Sequence, residues 1–322
     1  MVNSAQAPTD PVEATDGEVA LVVPEAAGKT GPVTTPTPPD DVLRLAAFTT
    51  DPAGGNPAGV VLDAVGWTDE RMQAVARAVG YAETAFVVRA PRERQGVRSL
   101  AIRYFSPAAE VPFCGHATIA TAVALAERLG VGAFAFETAV GPVLIDTSDS
   151  PDGVVASFTS VETSVRGLPG DVLDALLDAL GLGREDLDPA MPPRQAFAGN
   201  THPVIGLRDR GVFDAFVVDP GPLRRLMDAQ GWQGTVTVVH RTGTSTFEAR
   251  NPFPVGPISE DPATGSAAAA LGAYLRAEGL VTPPVRVLVH QGRHVGRPGL
   301  LTVDIPPDGG IVVRGTAIAM TA

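Results

Sequence analysis

Glu83 stands in an otherwise apolar run, Tyr81-Ala82-Glu83-Thr84-Ala85-Phe86, between the stop of one predicted helix and the start of a strand. A loop carboxylate is usually a solvated charge. Partly withdrawn from water, however, its pKa rises toward neutrality, and it can then both take and return a proton. Further chemistry-bearing groups stand where two apolar helices begin: Cys114-Gly115-His116 opens one, and Asp261-Pro262 leads into Gly265-Ser266 at the start of the other. The N–H groups of a first helical turn lack intrahelical partners and carry partial positive charge, so two such starts facing one another would hold a carboxylate. Read singly, Asp261 is equally well an N-cap with Pro262 at the first helical position, and His116 a packed first-turn residue.

The elements that must position these groups are legible. Strands are expected at 42–49 and 59–62. A helix follows, with Thr68 as N-cap, Asp69 and Glu70 in the first turn, Met72, Val75, Ala76 and Val79 on one face and Gly80 as stop. Strands are expected again at 84–89 and 100–105. The stretch from Cys114 to Leu129 has almost no polar face before Glu127, and Ser266 to Leu275 is equally apolar, with four consecutive alanines. Helices apolar all round are buried, so two cores are implied. Gly55-Asn56-Pro57 and Val60-Val61-Leu62 are echoed by Gly199-Asn200, Pro203-Val204-Ile205 and Leu207. The segment Arg103 to Gly115 is echoed in turn by Arg250 to Gly265 at a near-constant offset, which argues for duplication. Between the copies, Asp171 is expected to cap an amphipathic helix that ends at Gly181. Residues 1–40, rich in Pro, Thr, Ala and acidic side chains without apolar period, read as a flexible extension.

Composition removes several function classes. A net charge of −12 disfavours nucleic acid and anionic membranes as partners and leaves a small molecule. Cys114 is the single cysteine, so neither an internal disulfide nor a paired-cysteine zinc site is expected, and a reducing, cytoplasmic setting fits. Lys29 is the only lysine and lies in the extension, which disfavours Schiff-base and pyridoxal-phosphate chemistry. Dinucleotide, P-loop and nucleophile-elbow motifs are absent. His290 and His294 have i, i+4 spacing, but Gly292 and the preceding strand-like run argue against a helical metal site, and His202 and His240 have no ligand-type neighbour in sequence. No metal ligand is expected.

At this point the chain resembles the phenazine-biosynthesis PhzF-like family, which shares the diaminopimelate epimerase fold. The resemblance runs from about Val42 to the C-terminus. It rests on the Gly55-to-Val60 block, Glu83-Thr84-Ala85-Phe86-Val87, Phe105-Ser106-Pro107 through Glu110, Phe113-Cys114-Gly115-His116-Ala117-Thr118, Glu260-Asp261-Pro262-Ala263-Thr264-Gly265-Ser266-Ala267, and Gln291-Gly292 with Gly296-Arg297-Pro298. It implies an α+β fold of two pseudo-symmetric halves, each a curved β-sheet wrapped around a central buried helix, with the active site between them. The halves are expected at 41–150 and 151–322, the last strand returning to the first half. Glu83 matches the acid/base glutamate, with Asp261 and His116 as its catalytic companions. Gly115, Gly265, Ser266, Asn56 and Cys114 fall at substrate-binding positions. A homodimer without metal or organic cofactor is implied.

Racemases of this fold use one cysteine from each helix start, and here Pro262 is read at the second cysteine position, so two-thiol inversion is unavailable. A single carboxylate acting on one face points to allylic isomerisation of a compound like trans-2,3-dihydro-3-hydroxyanthranilate, in secondary metabolism. The rival readings are a racemase or dehydratase using Cys114 as base, and a non-catalytic binding protein of the same fold. Specificity is expected from loops at Met191 to Ala198 and Thr242 to Phe247.

Overall fold

The computed structural model describes residues 42–254 and 259–320; the extension expected at residues 1–40 lies outside them. The first half runs β1 (Leu43–Ala47), β2 (Asn56–Val61), α1 (Asp69–Val79), β3 (Glu83–Arg94), β4 (Val97–Phe105), β5 (Glu110–Val111), α2 (Gly115–Leu129), β6 (Ala133–Thr138), β7 (Gly141–Ser150) and β8 (Gly153–Thr159). The second runs β9 (Ser164–Gly167), α3 (Gly170–Ala179), β10 (Arg194–Phe197), β11 (Thr201–Gly206), α4 (Arg210–Ala215), α5 (Pro220–Gln230), β12 (Thr237–Arg241), β13 (Thr246–Arg250), α6 (Gly265–Ala277), β14 (Val285–Gln291), β15 (Gly299–Ile305) and β16 (Val312–Ala319).

The pairing repeats. From β1 to β8, leaving aside the short β5, successive partners run antiparallel, parallel, antiparallel, parallel, antiparallel, antiparallel. From β10 to β16 the same series recurs, as expected of the duplication read from the sequence. Strand β16 belongs to both halves: it pairs with β8 on one edge and with β15 and then β1 along the other. The first half is therefore a closed ring of strands and not merely a curved sheet, while the second fans out from β16 to β9 as an open one. The expected division at 150/151 falls in the turn of the β7–β8 hairpin, so β8 stays with the first ring.

Helix α2 packs inside the ring against β1, β2, β3, β7, β8 and β16, and α6 packs against β9, β10, β11, β15 and β16. Every residue of α2 from His116 to Ala126 is buried, as are Ala267 to Leu275 in α6. Small side chains are what allow strands to close around a helix on every side. The α1 expectation holds in detail: Thr68 accepts a hydrogen bond from the Arg71 N–H, Gly80 is left-handed, and Met72, Val75, Ala76 and Val79 are buried.

Three local expectations change. Asp171 lies inside the first turn of α3, whose N-cap is Pro169; the helix starts earlier because proline's fixed φ tolerates the flanking position. The stretch Met191 to Ala198 contains strand β10, held between β9 and β11. Thr246 and Phe247, assigned to a loop, open β13. Among the described residues no helix is long and apolar enough to cross a membrane.

Candidate active site

Helices α2 and α6 start against one another. A Cβ built on Gly115 would lie 3.6 Å from the Gly265 Cα, an ordinary contact that shows how near the two starts come, while one on Gly265 would crowd the Phe158 ring at 3.1 Å. Neither helix is capped by its own side chain: the N-caps Cys114 and Thr264 make no such bond. In α2 the first N–H to bond back is that of Thr118, to the Cys114 carbonyl; in α6 it is that of Ala268, to Thr264. The preceding N–H groups have no backbone acceptor, and Gly115, His116, Gly265 and Ser266 of these first turns line a cavity of about 510 Å³ together with Glu83, Cys114, Asp261 and Thr264. The cap positions correct the sequence reading. The counterpart of Cys114 is Thr264 and not Pro262, because the segment 261–264 closes on itself before the helix begins; a second thiol is missing either way.

Glu83 opens β3, paired in parallel with Ala58 of β2, which points its carboxylate over the start of α2. Its Oε2 lies 3.4 Å from Cys114 Sγ and 3.5 Å from His116 Nε2. Burial, then repulsion from the Asp261 carboxylate, raises its pKa to about 7, with the thiol hydrogen bond opposing. Burial lowers His116 to about 4, only partly offset by a bond to Pro57; proline has no N–H, so the imidazole donates to its carbonyl and stays neutral. The Cys114 thiol is pushed well above its usual value, chiefly by burial and then by the Glu83 charge.

Asp261 sits opposite, its pKa raised to about 6 by burial against the hydrogen bonds from Thr264 and Asn56. Asn56 Nδ2 donates to Asp261 Oδ1 at 2.8 Å and to the Ala263 carbonyl at 2.9 Å. Both amide protons are thus used, and Asn56, expected at a substrate-binding position, stands behind Asp261 and is not among the residues lining the cavity. Gln291 completes the brace: its amide donates to the Asp261 carbonyl at 2.7 Å and accepts from the Thr264 N–H at 3.1 Å.

One hydrogen-bonded pair at the cavity escaped the sequence reading. His202, fully buried on β11, places Nε2 3.1 Å from Ser266 Oγ and Nδ1 2.9 Å from the Thr235 carbonyl. A carbonyl only accepts, so Nδ1 carries the proton and Nε2 accepts a hydrogen bond from the Ser266 hydroxyl. Ser266 then turns lone pairs toward the cavity and suits an amine or hydroxyl of the ligand, while the helix N–H groups suit its carboxylate. Ser266→Ala is expected to raise KM about tenfold with kcat changed by less than about threefold, the loss of one hydrogen bond made equally in ground and transition states; an unchanged KM in steady-state assays would remove Ser266 from the binding set. The repeat held a hint, since Asn200 is the echo of Asn56 and His202 stands two residues on, and both line the cavity.

Fold and site together describe a two-half α+β protein in which a buried carboxylate and two helix starts meet around one cavity. Residues 45–322 match the family model described as phenazine biosynthesis-like protein, and the chain belongs to that family. It is 32% identical over 295 residues to an Escherichia coli K12 protein described as the uncharacterized isomerase YddE, covering 87% of this chain and 96% of that one. It is 30% identical over 256 residues to the trans-2,3-dihydro-3-hydroxyanthranilate isomerase of Pseudomonas chlororaphis, covering 79% and 86%. The crystal structure of a Bacillus anthracis phenazine biosynthesis protein of the PhzF family superposes with a TM-score of 0.73 at 26% identity, covering 87% of this chain and 96% of that one.

Proposed function

We propose that this chain is a cofactor-independent isomerase that shifts a proton on a small, unsaturated, carboxylate-bearing metabolite, similar to trans-2,3-dihydro-3-hydroxyanthranilate. The observation that carries the reading is Glu83: a carboxylate held near half-protonation at neutral pH, at the rim where two uncapped helix starts face one cavity. Such a group has comparable free energy with and without its proton, which is what a base that must return the same proton requires. The substrate carboxylate lies against the N–H groups of α2 and α6, whose fixed dipoles also steady the negative charge spread over the unsaturated system during transfer. Asp261 and Ser266 hold its amine or hydroxyl. Phe113, Phe158, Val143 and Val161 give the apolar body of the molecule a wall. The resemblance implies a homodimer acting in secondary metabolism, and the single cysteine fits a cytoplasmic setting.

Proton NMR in D2O with trans-2,3-dihydro-3-hydroxyanthranilate and related unsaturated cyclic amino acids tests the reading. Deuterium uptake or migration of the double bond is expected; a full panel left untouched would set the reaction aside. Cys114 is a poorer base, since burial and the neighbouring carboxylate keep its thiol protonated at neutral pH. The profile of kcat/KM against pH supplies a second check. Glu83 must be ionised to accept a proton, so the rate rises with pH through a limb near 7. Asp261→Asn removes one cause of the raised value and moves that limb to lower pH, whatever it does to KM. A limb that stays in place would detach Asp261 from Glu83.

A further inference from the structure

The Glu83 end of the cavity brings three different ligand-type atoms together. Cys114 Sγ lies 3.4 Å from Glu83 Oε2 and 3.8 Å from His116 Nε2, and that nitrogen lies 3.5 Å from Oε2. An ion bonded at about 2.3 Å to sulfur and about 2.0–2.1 Å to nitrogen and oxygen in a tetrahedron keeps its ligand atoms about 3.3–3.6 Å apart. The triangle here matches to within a few tenths of an ångström.

Two more features suit an ion. The donors are one thiol, one neutral imidazole and one carboxylate, a borderline-soft set that favours Zn²⁺ over Mg²⁺ or Ca²⁺. All three side chains line the cavity, so the fourth position of a tetrahedron is open to a water or a ligand carboxylate.

We propose that Glu83, Cys114 and His116 form a binding site for Zn²⁺ and chemically similar thiophilic divalent ions, and that an ion there occludes the proton-transfer site. Binding exchanges the Cys114 S–H bond for a metal–sulfur bond, with the proton released to solvent, and occupies the Glu83 oxygen that would otherwise take the substrate's proton. The site itself is independent of the proposed reaction; the inhibition rests on that reading.

Chelator-treated, full-length protein is titrated with Co²⁺ without substrate, and the absorption spectrum is followed. One Co²⁺ per chain is expected, with tetrahedral visible bands and a thiolate-to-cobalt charge-transfer band, all erased by equimolar Zn²⁺ and unaffected by excess Mg²⁺. Cys114 is the only thiol in the chain, so the charge-transfer band has one possible source. Cys114→Ser, close in size and checked for folding by circular dichroism, loses that band. Glu83→Gln weakens Co²⁺ binding about tenfold or more. Absence of the band in the wild type, or its survival in Cys114→Ser, overturns the site. Deuterium exchange by the metal-free protein is measured in parallel, so that loss of the metal site and loss of the isomerase reading are separate outcomes.

Discussion

Glu83→Gln is expected to lower the rate of substrate deuterium exchange by about 10³-fold or more while ligand affinity changes by less than about fivefold, because general acid–base catalysis contributes on that scale and binding rests on other groups. The glutamine keeps the shape of the side chain and an oxygen for the Cys114 thiol. It cannot take a proton. The helix starts, Asp261 and Ser266 are untouched, so the carboxylate and the amine or hydroxyl of the ligand keep their partners. Stability should move in a definite direction. In the folded chain burial raises Glu83 from 4.5 to about 7, so folding favours its protonated form. That contribution is complete below the unfolded value and is lost as pH rises through 7. The amide has no such loss. The variant should therefore melt with the wild type near pH 4 and increasingly above it by pH 8, a gain of at most about 3 kcal/mol. Thermal scans at the two pH values check the stability, and NMR exchange checks the chemistry. Exchange at the wild-type rate would place the base elsewhere and return attention to Cys114.

How much of this was readable beforehand depends on the distance over which each signal acts. Helix α1 was legible because its signals are local: Thr68, the acidic first turn and Gly80 each act within one turn. The two buried helices were legible because apolar composition on every side has one physical outcome. Glu83, His116 and Asp261 were singled out from their settings, but only the duplication and the family resemblance placed them around one cavity. The rest was hidden where partners are remote. Closure of the first ring depends on Leu45 meeting Ala319, a pairing no local pattern encodes. His202 looked partnerless because Ser266 is 64 residues away. Asn56 was given to the substrate, yet its amide faces a carboxylate 205 residues on. Some misses were local and avoidable: Asp219-Pro220 is a cap followed by proline at the first helical position, and α5 begins there.

The second large effect lies behind the site, at Arg250. Arg250 and Glu260 are both buried, at 8% and 9% exposure. Arg250 Nε donates to the Glu260 carboxylate at 3.2 Å, Nη1 donates to the carbonyls of Phe213 and Phe216 at 3.1 and 3.0 Å, and the guanidinium lies 3.7 Å over the Phe216 ring. One side chain thus satisfies a buried charge and two backbone acceptors. Arg250→Met fills similar space but strands all three, and about 3–5 kcal/mol of stability should be lost, measured by urea denaturation. Arg250→Met with Glu260→Leu should recover much of that, since the worst residue of the single change is a lone buried carboxylate. The coupling reaches the active site through the chain. Glu260 bridges to Pro252, and the next residue, Asp261, donates its N–H to the Asn251 carbonyl at 2.9 Å. The charged pair therefore anchors the strand-like entry to the 261–264 turn on which Asp261 and Thr264 depend. Weaker ligand binding is expected in the single variant even well below its melting point, with partial return in the double variant. A single variant that lost less than about 1 kcal/mol would mean that water reaches Glu260 once the guanidinium is gone, and that the turn is held by Asn56 and Gln291 alone.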